Sequence, residues 1–349
     1  MIDFVPNPAC NYRFDYAEIF RRIGISKAGR WSEFFPDKEE INEVYALRHL
    51  ILNDLYFIVR FVMEVPIPQA HEPFVVQMCR MVEDGPDGWC LDLWARYHYK
   101  TTIKTKARTI QRIVKYPEKC TMIASHTRPI AKKMVRPITH LLQNNAMLKR
   151  CFPYVLYENP EREAPKWSED DGYVVKRKGD SRSEATLEAW GIKDGMPISV
   201  HFDWILLDDL ETIGDVRNPD VVLNGREAVN LCNFLITDGG SIDFTGTPYS
   251  HEGIYVPFIK NKERADGSPK YMYRAIPATL DGTKDGEPRM MTKEQLADVY
   301  VDMAKEDGTR GEYNFNTQML INPTPVGVRR LSGELIKDIE PQFIPRNRF

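Results

Sequence analysis

A lysine and two threonines that directly follow an apolar segment could bind phosphate. Residues 91–94 predict a buried strand, a helical pattern begins at residue 101, and the residues at the junction are Arg96, Tyr97, His98, Tyr99, Lys100, Thr101 and Thr102. In such a setting backbone N–H groups at the helix start cradle phosphates, the lysine reaches the outer phosphate oxygens, and a hydroxyl holds Mg²⁺. The usual pattern has glycine at two positions that Trp94 and Tyr99 occupy here. By itself this phosphate loop (residues 96–102) is therefore weak evidence for a nucleotide site.

Paired carboxylates follow a second apolar segment. Residues 204–207 are wholly apolar, Asp208 and Asp209 come next, and Glu211 lies two residues farther along. An acid at the C-terminal end of a parallel strand can bind Mg²⁺ through its water shell, while a neighbouring acid polarises the attacking water. The ordinary alternative is a strand end with an aspartate that caps the next helix. The lysine-threonine loop roughly a hundred residues earlier favours the catalytic interpretation.

A third polar group ends the predicted strand 242–245. It consists of Thr245, Gly246 and Thr247, followed by Pro248. In a nucleotide-driven motor, a strand end of this kind senses the γ-phosphate and transmits hydrolysis to the moving part. Taken alone it is also an ordinary turn, because glycine and proline are common turn residues. We call these three residues the coupling turn.

The elements that must position these groups alternate along the chain, and this order is typical of a parallel α/β sheet. Apolar segments predict strands at residues 89–94, 121–125, 204–207, 242–245 and 271–276. Apolar spacings of three and four predict helices at residues 101–116, 129–145, 219–235 and 293–305. Residues 157–171, 265–269 and 281–288 are predicted to be irregular. The stretch 314–349 has little periodicity and is predicted to be a linker or a clamp across the domain surface.

Taken in this order, the three motifs resemble those of large terminase subunits, the DNA-packaging motors of tailed phages. The resemblance extends over roughly residues 66–323. It implies an α/β fold of the P-loop NTPase class (ASCE/RecA-like), with a central mainly parallel sheet flanked by helices and a small C-terminal linker subdomain. We accordingly expect an N-terminal helical region at 1–65, a P-loop ATPase core at 66–280 and a linker or lid at 281–349. This last segment would lead to a nuclease domain that the chain lacks, so no nuclease activity is expected from it.

The resemblance also implies roles for individual residues. ATP and Mg²⁺ are the expected cofactors, with Thr101 and Asp208 as magnesium residues and the coupling turn as the link to movement. The catalytic group would be Asp209 or Glu211, assisted by Arg96; the choice stays open because an aspartate reaches less far than the glutamate usual in the family. The residues expected to bind ATP are Arg96, Tyr97, His98, Tyr99, Lys100, Thr101, Thr102, Phe74 and Gln77. Phe74 and Gln77 would contact adenine, although both also suit an ordinary helix.

Basic residues are concentrated in one stretch of the chain. Residues 96–150 contain fourteen Lys and Arg and one acid, Glu118, whereas the net charge of the whole chain is −3. Such segregation indicates a surface that faces a polyanion, with solvated basic helices as the alternative. We expect Lys132, Lys133 and Arg136 to contact DNA or a neighbouring subunit. Arg177 and Arg182 are the candidates for an arginine supplied in trans to the neighbour's ATP.

Several classes of protein are disfavoured by the sequence. No apolar run approaches the roughly 18 residues of a membrane span, and the N-terminus lacks a signal pattern. The six cysteines form no C-x-x-C pair, so they predict reduced thiols in a cytoplasmic protein. The resemblance implies the host cytoplasm, and as partners sequence-independent double-stranded DNA, portal protein, small terminase subunit and further copies in a ring. Two alternatives stay open: a degenerate P-loop DNA-binding structural subunit, prompted by Tyr99, and a helicase-like ATPase, which would need a second RecA-like domain.

Overall fold

An eight-stranded, mainly parallel sheet organises the residues that the computed structural model describes, which are 5–25, 28–29, 41–178, 182–260, 264, 266–304 and 308–323. Its strands are β1 Cys90–Trp94, β2 Thr121–Ser125, β3 Trp167–Ser168, β4 Gly172–Tyr173, β5 Leu187–Gly191, β6 Phe202–Asp208, β7 Ile236–Gly246 and β8 Met272–Ile276. The order across the sheet is β8-β1-β7-β6-β2-β5-β4-β3, and only β3 and β4 are antiparallel to their neighbours. A separate two-residue pair joins Ala28–Gly29 to Ile41–Asn42.

The strand order brings the three sequence motifs to one edge of the sheet. Strand β7 lies between β1, which precedes the phosphate loop, and β6, which ends in the paired acids. Thr245 is in register with Asp92 of β1 on one side and with Asp208 of β6 on the other. Because parallel strands share an edge at their C-terminal ends, the loop, the coupling turn and the acids all emerge there.

Helices cover both faces of the sheet. They are α1 Tyr16–Ile25, α2 Glu43–Asn53, α3 Leu55–Phe57 with its π-helical continuation Ile58–Val62, α4 Glu72–Glu83, α5 comprising π-helical Thr101–Ala107 and α-helical Arg108–Lys115, α6 Arg128–Asn144, α7 Ala146–Cys151, α8 Pro160–Glu163, α9 Pro219–Leu235, α10 Val256–Lys260, α11 Lys293–Ala304 and α12 Gly308–Gln318. A 3₁₀ turn spans Asp215–Arg217. Within the described ranges no helix is both long enough and apolar enough to cross a membrane.

Two hydrophobic cores lie on opposite faces of the sheet. Along β6, Trp204 and Leu206 point into the core beneath α1–α6, whereas Ile205 and Leu207 point into the core beneath α9. Side chains alternate between the two faces of a strand, so a strand covered on both faces must be apolar at every position. This burial explains why the central strands are visible in the sequence as uninterrupted apolar segments. A third, smaller core joins α11 and α12 to the sheet edge through Leu296, Phe315 and Met319.

The structure confirms the five predicted strands and the four predicted helices, with small shifts at their ends. Strand β5 was not predicted, because its inward residues include only Leu187 and Ala189 beside a glycine. The prediction of irregular structure was wrong for 157–171, which contains α8 and β3, and for 314–318, which belongs to α12. Residues 265, 305 and 324–349 lie outside the described part of the chain, so the linker prediction for the tail stays a prediction.

Candidate nucleotide site

The phosphate loop follows β1 and is tied at its start to two other segments. Ala95 N–H donates to the Ile276 carbonyl and Arg96 N–H donates to the Gln318 carbonyl, each at 2.8 Å. Tyr97 and Tyr99 have φ values of 66° and 60°, in the left-handed region. Tyr99 thus adopts a conformation that a glycine would adopt without cost, at roughly 1–2 kcal/mol for an L-residue. The backbone shape of a phosphate loop is therefore kept although the glycine is missing.

Two side chains of the loop are packed against α4 and the residue before it. The Tyr99 hydroxyl lies 3.4 Å from Nδ1 of His71, and the two rings meet edge to face. His98 is buried, its Nδ1 lies 2.7 Å from the Arg96 carbonyl oxygen, and its ring packs at 5.3 Å on Phe74. Burial lowers the pKa of His98 to about 4, so this ring is neutral at pH 7. Its side chain supports the loop from below, and only its backbone is placed to meet a phosphate.

The two residues predicted to contact adenine differ in exposure. Phe74 is buried and its ring faces His98, so it offers no open aromatic face to a base. This position corrects the expectation for Phe74, which supports the loop instead. Gln77 is exposed one turn farther along α4, and its contact with adenine stays a prediction.

Lys100 and the paired acids meet at the sheet edge. The Lys100 ammonium lies 3.3 Å from Oδ1 of Asp209, whose side chain is 42% exposed. Asp208 is completely buried, and its Oδ2 accepts a hydrogen bond of 2.6 Å from Oγ1 of Thr105. Burial and the Asp209 carboxylate raise the pKa of Asp208 to about 7, while Lys100 and the hydroxyls of Thr105 and Thr101 act in the opposite direction. The chain thus brings a cation, two carboxylates and two hydroxyls together.

These groups fit a magnesium ion that arrives with a nucleotide. Oδ1 of Asp208 is buried and has no hydrogen-bond partner among the described residues. Thr101 and Thr102 begin the helix half-buried, and the Thr101 hydroxyl lies close enough to affect Asp208. Protein sites for Mg²⁺ commonly supply one or two carboxylates and leave the other positions to water and phosphate oxygens. Within the described ranges no group of three His, Cys, Asp or Glu could hold a metal without such help.

Glu211 occupies a different environment from Asp209. Its two carboxylate oxygens accept hydrogen bonds from Tyr249 N–H at 3.2 Å and Ile254 N–H at 3.0 Å. A Cβ atom at Gly253 would collide with this carboxylate, so the loop fits closely around it. Burial raises the pKa of Glu211 to about 7. Glu211 therefore holds loop 249–254 in place, whereas Asp209 lies beside Lys100.

The coupling turn connects the strands on both sides of it. Asp209 N–H donates to the Thr245 carbonyl at 3.0 Å, and Thr247 Oγ1 donates to the Trp94 carbonyl at 3.2 Å. Side chain Oγ1 of Thr245 is buried without a hydrogen-bond partner in the described part of the chain. Gly246 packs against Tyr255, where a Cβ atom would collide with the phenol hydroxyl. The turn is thus placed to respond to changes at both the loop and the acids.

No protein-family model and no curated protein sequence matches the chain. Among solved structures, the HK97 bacteriophage large terminase aligns at 14% identity with a TM-score of 0.51, covering 79% of this chain and 55% of that chain. The chain has the fold of the HK97 large terminase. It spans about half the length of that protein. The Thermus phage P74-26 large terminase ATPase domain aligns at 10% identity and a TM-score of 0.43, over 76% of this chain and 97% of that chain. A large terminase from another thermophilic bacteriophage aligns at 14% identity and a TM-score of 0.36, over 68% of this chain and 50% of that chain.

This likeness confirms the predicted fold class, an α/β fold of the P-loop NTPase type. The predicted resemblance to large terminases is also confirmed, at the level of the fold. Three parts of the terminase fold carry the site: the loop after β1, the end of β6 and the end of β7. The division of the chain at residues 65 and 280 stays a prediction.

Helix α12 is a part of the site to which the sequence assigned no role. Besides the backbone bond, Gln318 Oε1 accepts a hydrogen bond from the Arg96 guanidinium, which also lies 6.0 Å from the Tyr97 ring centroid. At the other end of the contact, the Tyr313 hydroxyl donates to the Tyr249 carbonyl. Helix α12 therefore contacts both the phosphate loop and loop 249–254, which Glu211 holds. Arg96 is bound to α12 in this structure and is not directed at the two acids.

A buried ion network lies beneath the phosphate loop. Asp92 of β1 has no exposed surface, and its Oδ2 lies 2.5 Å from the Lys104 ammonium of α5. Arg274 of β8 binds both Asp92 oxygens, at 2.5 and 2.7 Å, and donates to the Met81 carbonyl. The network joins two strands, α4 and the helix that begins with Thr101. A charged residue inside the otherwise apolar segment 90–94 was the signal in the sequence that a partner was needed.

Lys104→Met is expected to destabilise the fold by about 3 kcal/mol, because losing one partner of a buried ion pair leaves a desolvated charge behind. The value is at the low end for such pairs since Arg274 still neutralises Asp92. Lys115→Met, which changes an exposed lysine of the same helix, is the control and should stay within about 0.5 kcal/mol. Denaturant unfolding measures both. Equal midpoints for the two variants would contradict a structural role for the network.

The basic stretch is largely neutralised within the chain. Eight of its fourteen cations lie within 4 Å of a carboxylate. Lys132 lies 2.7 Å from Asp170 and Arg136 binds Glu169, while Lys133 is exposed. Charge counting along 96–150 missed these acids because they lie more than 30 residues away in sequence. The stretch is thus not the open basic surface that the sequence indicated, and contact of these three residues with DNA stays a prediction.

The two candidate trans arginines have partners inside the chain. Arg177 donates to Oγ1 of Thr186 at 2.9 Å and to the Glu184 carbonyl at 3.0 Å. Arg182 donates to Asp203 at 2.7 Å and to the His201 carbonyl at 2.9 Å. Asp203 lies near the start of β6, about 16 Å from Asp208 at its end for a strand rise of about 3.3 Å per residue. Both arginines therefore lie toward the sheet edge opposite the acids, and their action in trans stays a prediction.

Proposed function

We propose that this chain is the ATPase motor domain of a viral terminase large subunit, which hydrolyses ATP to move double-stranded DNA into a procapsid. The observation that carries the proposal is the meeting of Lys100, Asp208 and Asp209 at one sheet edge, with an unpartnered oxygen on the buried Asp208. The terminase fold supports the choice among ATP-driven motors. Portal protein, small terminase subunit, a ring of copies and the host cytoplasm belong to the same proposal.

The residues at the edge have separate tasks in this proposal. Backbone N–H groups of the loop and the Lys100 ammonium bind the phosphates and neutralise their charge. Asp208 and the Thr101 hydroxyl would hold Mg²⁺, which neutralises charge that develops on the transferred group when it is bound. Asp209 accepts a hydrogen bond from the attacking water and orients it toward the γ-phosphorus.

The contact between Lys100 and Asp209 gives this arrangement an order of events. In this structure the lysine is paired with the carboxylate that we assign to water activation. A bound triphosphate carries more negative charge than one carboxylate and competes for the ammonium. Nucleotide binding thereby releases Asp209, which is exposed enough to meet water, and activates the site only when substrate is present.

Movement is assigned to the segments that contact the loop. Thr247 is bonded to the end of β1, Glu211 holds loop 249–254, and α12 contacts both that loop and Arg96. A change at the γ-phosphate can therefore reach α12 through Arg96 or through the coupling turn. We propose that α11 and α12 move relative to the sheet during turnover.

The test is ATP hydrolysis by the purified chain without DNA, with duplex DNA and with single-stranded DNA. The proposal expects hydrolysis that duplex DNA of any sequence stimulates. A degenerate structural subunit would bind DNA and release no phosphate. A helicase-like ATPase would be stimulated by single strands and would separate a labelled duplex.

The basic face of α6 gives a second expected result. Replacing Lys132, Lys133 and Arg136 with alanine should weaken duplex binding and reduce the salt dependence, by about 0.9 in the slope of log affinity against log salt per lost phosphate contact. Because Glu169 and Asp170 occupy two of these cations, the double change Glu169→Gln and Asp170→Asn should instead tighten binding. Fluorescence anisotropy over a salt series measures both. Lost basal hydrolysis with an unchanged slope would place the three residues at a subunit interface.

A further inference from the structure

Thr105 is a second threonine that contacts the buried acid of β6. Its Oγ1 donates to Oδ2 of Asp208 at 2.6 Å, and the two side chains are 1% and 0% exposed. It lies four residues after Thr101, within the π-helical turn Thr101–Ala107. Residues four apart share a face of a helix, so the helix presents both hydroxyls to one carboxylate. Turns of this rare type recur at functional sites.

The bond divides the two oxygens of Asp208 between two tasks. Oδ2 is occupied by Thr105, and Oδ1 is buried without a hydrogen-bond partner among the residues described. A carboxylate held by one oxygen cannot rotate freely about its χ2 bond. The other oxygen therefore keeps a fixed direction, and the Thr101 hydroxyl is not needed to hold the acid in place.

We propose that Thr105 is a positioning residue, which fixes the Asp208 carboxylate so that Oδ1 faces the metal and phosphates of a bound nucleotide. The inference rests on the proposed nucleotide site. Residues behind a metal ligand that orient it typically contribute 10- to 100-fold, a range of roughly one to two decades in metal affinity or activity. The rival explanation is that Thr105 only fastens helix α5 to strand β6.

The helix contains a control for that rival. Thr109 lies one further turn along α5, is also fully buried, and its Oγ1 has no hydrogen-bond partner in the described part of the chain. Thr→Val removes a hydroxyl and keeps the side-chain shape at either position. The same substitution at Thr105 and Thr109 therefore differs in the loss of the bond to Asp208.

The experiment measures Mn²⁺ affinity by electron paramagnetic resonance in the presence of ADP, together with kcat and KM for ATP. Thr105→Val should weaken Mn²⁺ binding and lower kcat, each by about 10- to 100-fold, while affinity for ADP without metal stays within about threefold. Thr105→Ser keeps the donor and should recover both values to within about threefold of wild type. Thr109→Val should match wild type. Thermal unfolding of each variant is recorded alongside.

Wild-type Mn²⁺ affinity in Thr105→Val, or equal losses in Thr109→Val, would overturn the inference. If Thr105→Val does not fold, the serine variant decides, since a well-folded Thr105→Ser with weak Mn²⁺ binding contradicts positioning by the hydroxyl. Failure of the proposed function is distinguishable, because the wild-type chain would then neither bind ADP nor hydrolyse ATP. A wild-type chain that does both, beside an unaffected Thr105→Val, removes only the role of Thr105.

Discussion

Lys100→Ala is expected to lower ATP turnover at least about 100-fold, the scale of removing one preorganised charge-stabilising donor. The Lys100 side chain is 12% exposed and lies 3.3 Å from Asp209, at the point where β1 and β6 present their ends. Its loss removes the positive charge that would neutralise the outer phosphates. It also leaves Asp209 unpaired beside the buried Asp208, which makes the site repel an anion. Steady-state phosphate release from the purified chain measures the effect.

The fold should tolerate this change, because a loop lysine contributes little packing. We expect a melting temperature close to that of the wild type and an unchanged far-ultraviolet spectrum. Lys115→Ala, an exposed lysine at the end of α5, is the matched control and should keep full basal turnover. Normal turnover in Lys100→Ala would show that the loop after β1 does not bind the phosphates of the substrate.

The central strands could be predicted because both of their faces are buried. Strand β6 places consecutive side chains in opposite cores, so all of residues 204–207 must be apolar, and the acids mark its end. Strand β5 gives a much weaker signal, since Glu188 and Trp190 lie half-buried and Gly191 packs closely against the start of α6. Its pairing with β2 is set by the tertiary structure and not by its own composition.

Helix α12 could not be predicted for a related reason. Its sequence contains two glycines, two asparagines and two threonines, which are poor helix formers, and it shows little apolar periodicity. Phe315 and the following Met319 hold it through the small core with Leu296. Packing against the sheet edge thus overrides local propensity, and the contacts of Gln318 and Tyr313 with the site follow from that packing.

The identity of the site residues was accessible from sequence, but their division of labour was not. The sequence left Asp209 and Glu211 as equal candidates because only the path of the chain after β6 separates them. Asp209 has a φ of 50°, which turns the chain, and Glu211 then faces the backbone of loop 249–254. The contact of Thr105 with Asp208 spans 103 residues, so no local pattern could have indicated it.

Asp209→Asn is expected to retain ATP binding and to lower turnover by about 10²- to 10⁴-fold, the range for loss of a general base. The amide keeps the size of the side chain but cannot accept a proton from water. Removing its charge also frees Lys100 for the phosphates, so affinity for ATP should not fall. A fluorescent ATP analogue measures binding, and single-turnover phosphate release measures the chemical step. The two measurements together distinguish a lost base from a lost binding site.

Glu211→Gln should behave differently, because both carboxylate oxygens of Glu211 already accept backbone N–H groups. An amide leaves one oxygen and places an NH₂ group against an N–H donor, so loop 249–254 should loosen. We expect a lower melting temperature and weaker stimulation by DNA, with basal turnover reduced much less than in Asp209→Asn. The reverse pattern would be a Glu211→Gln variant that traps ATP while Asp209→Asn turns over normally. In that case the loop must release Glu211 when nucleotide binds, and the catalytic role belongs to Glu211.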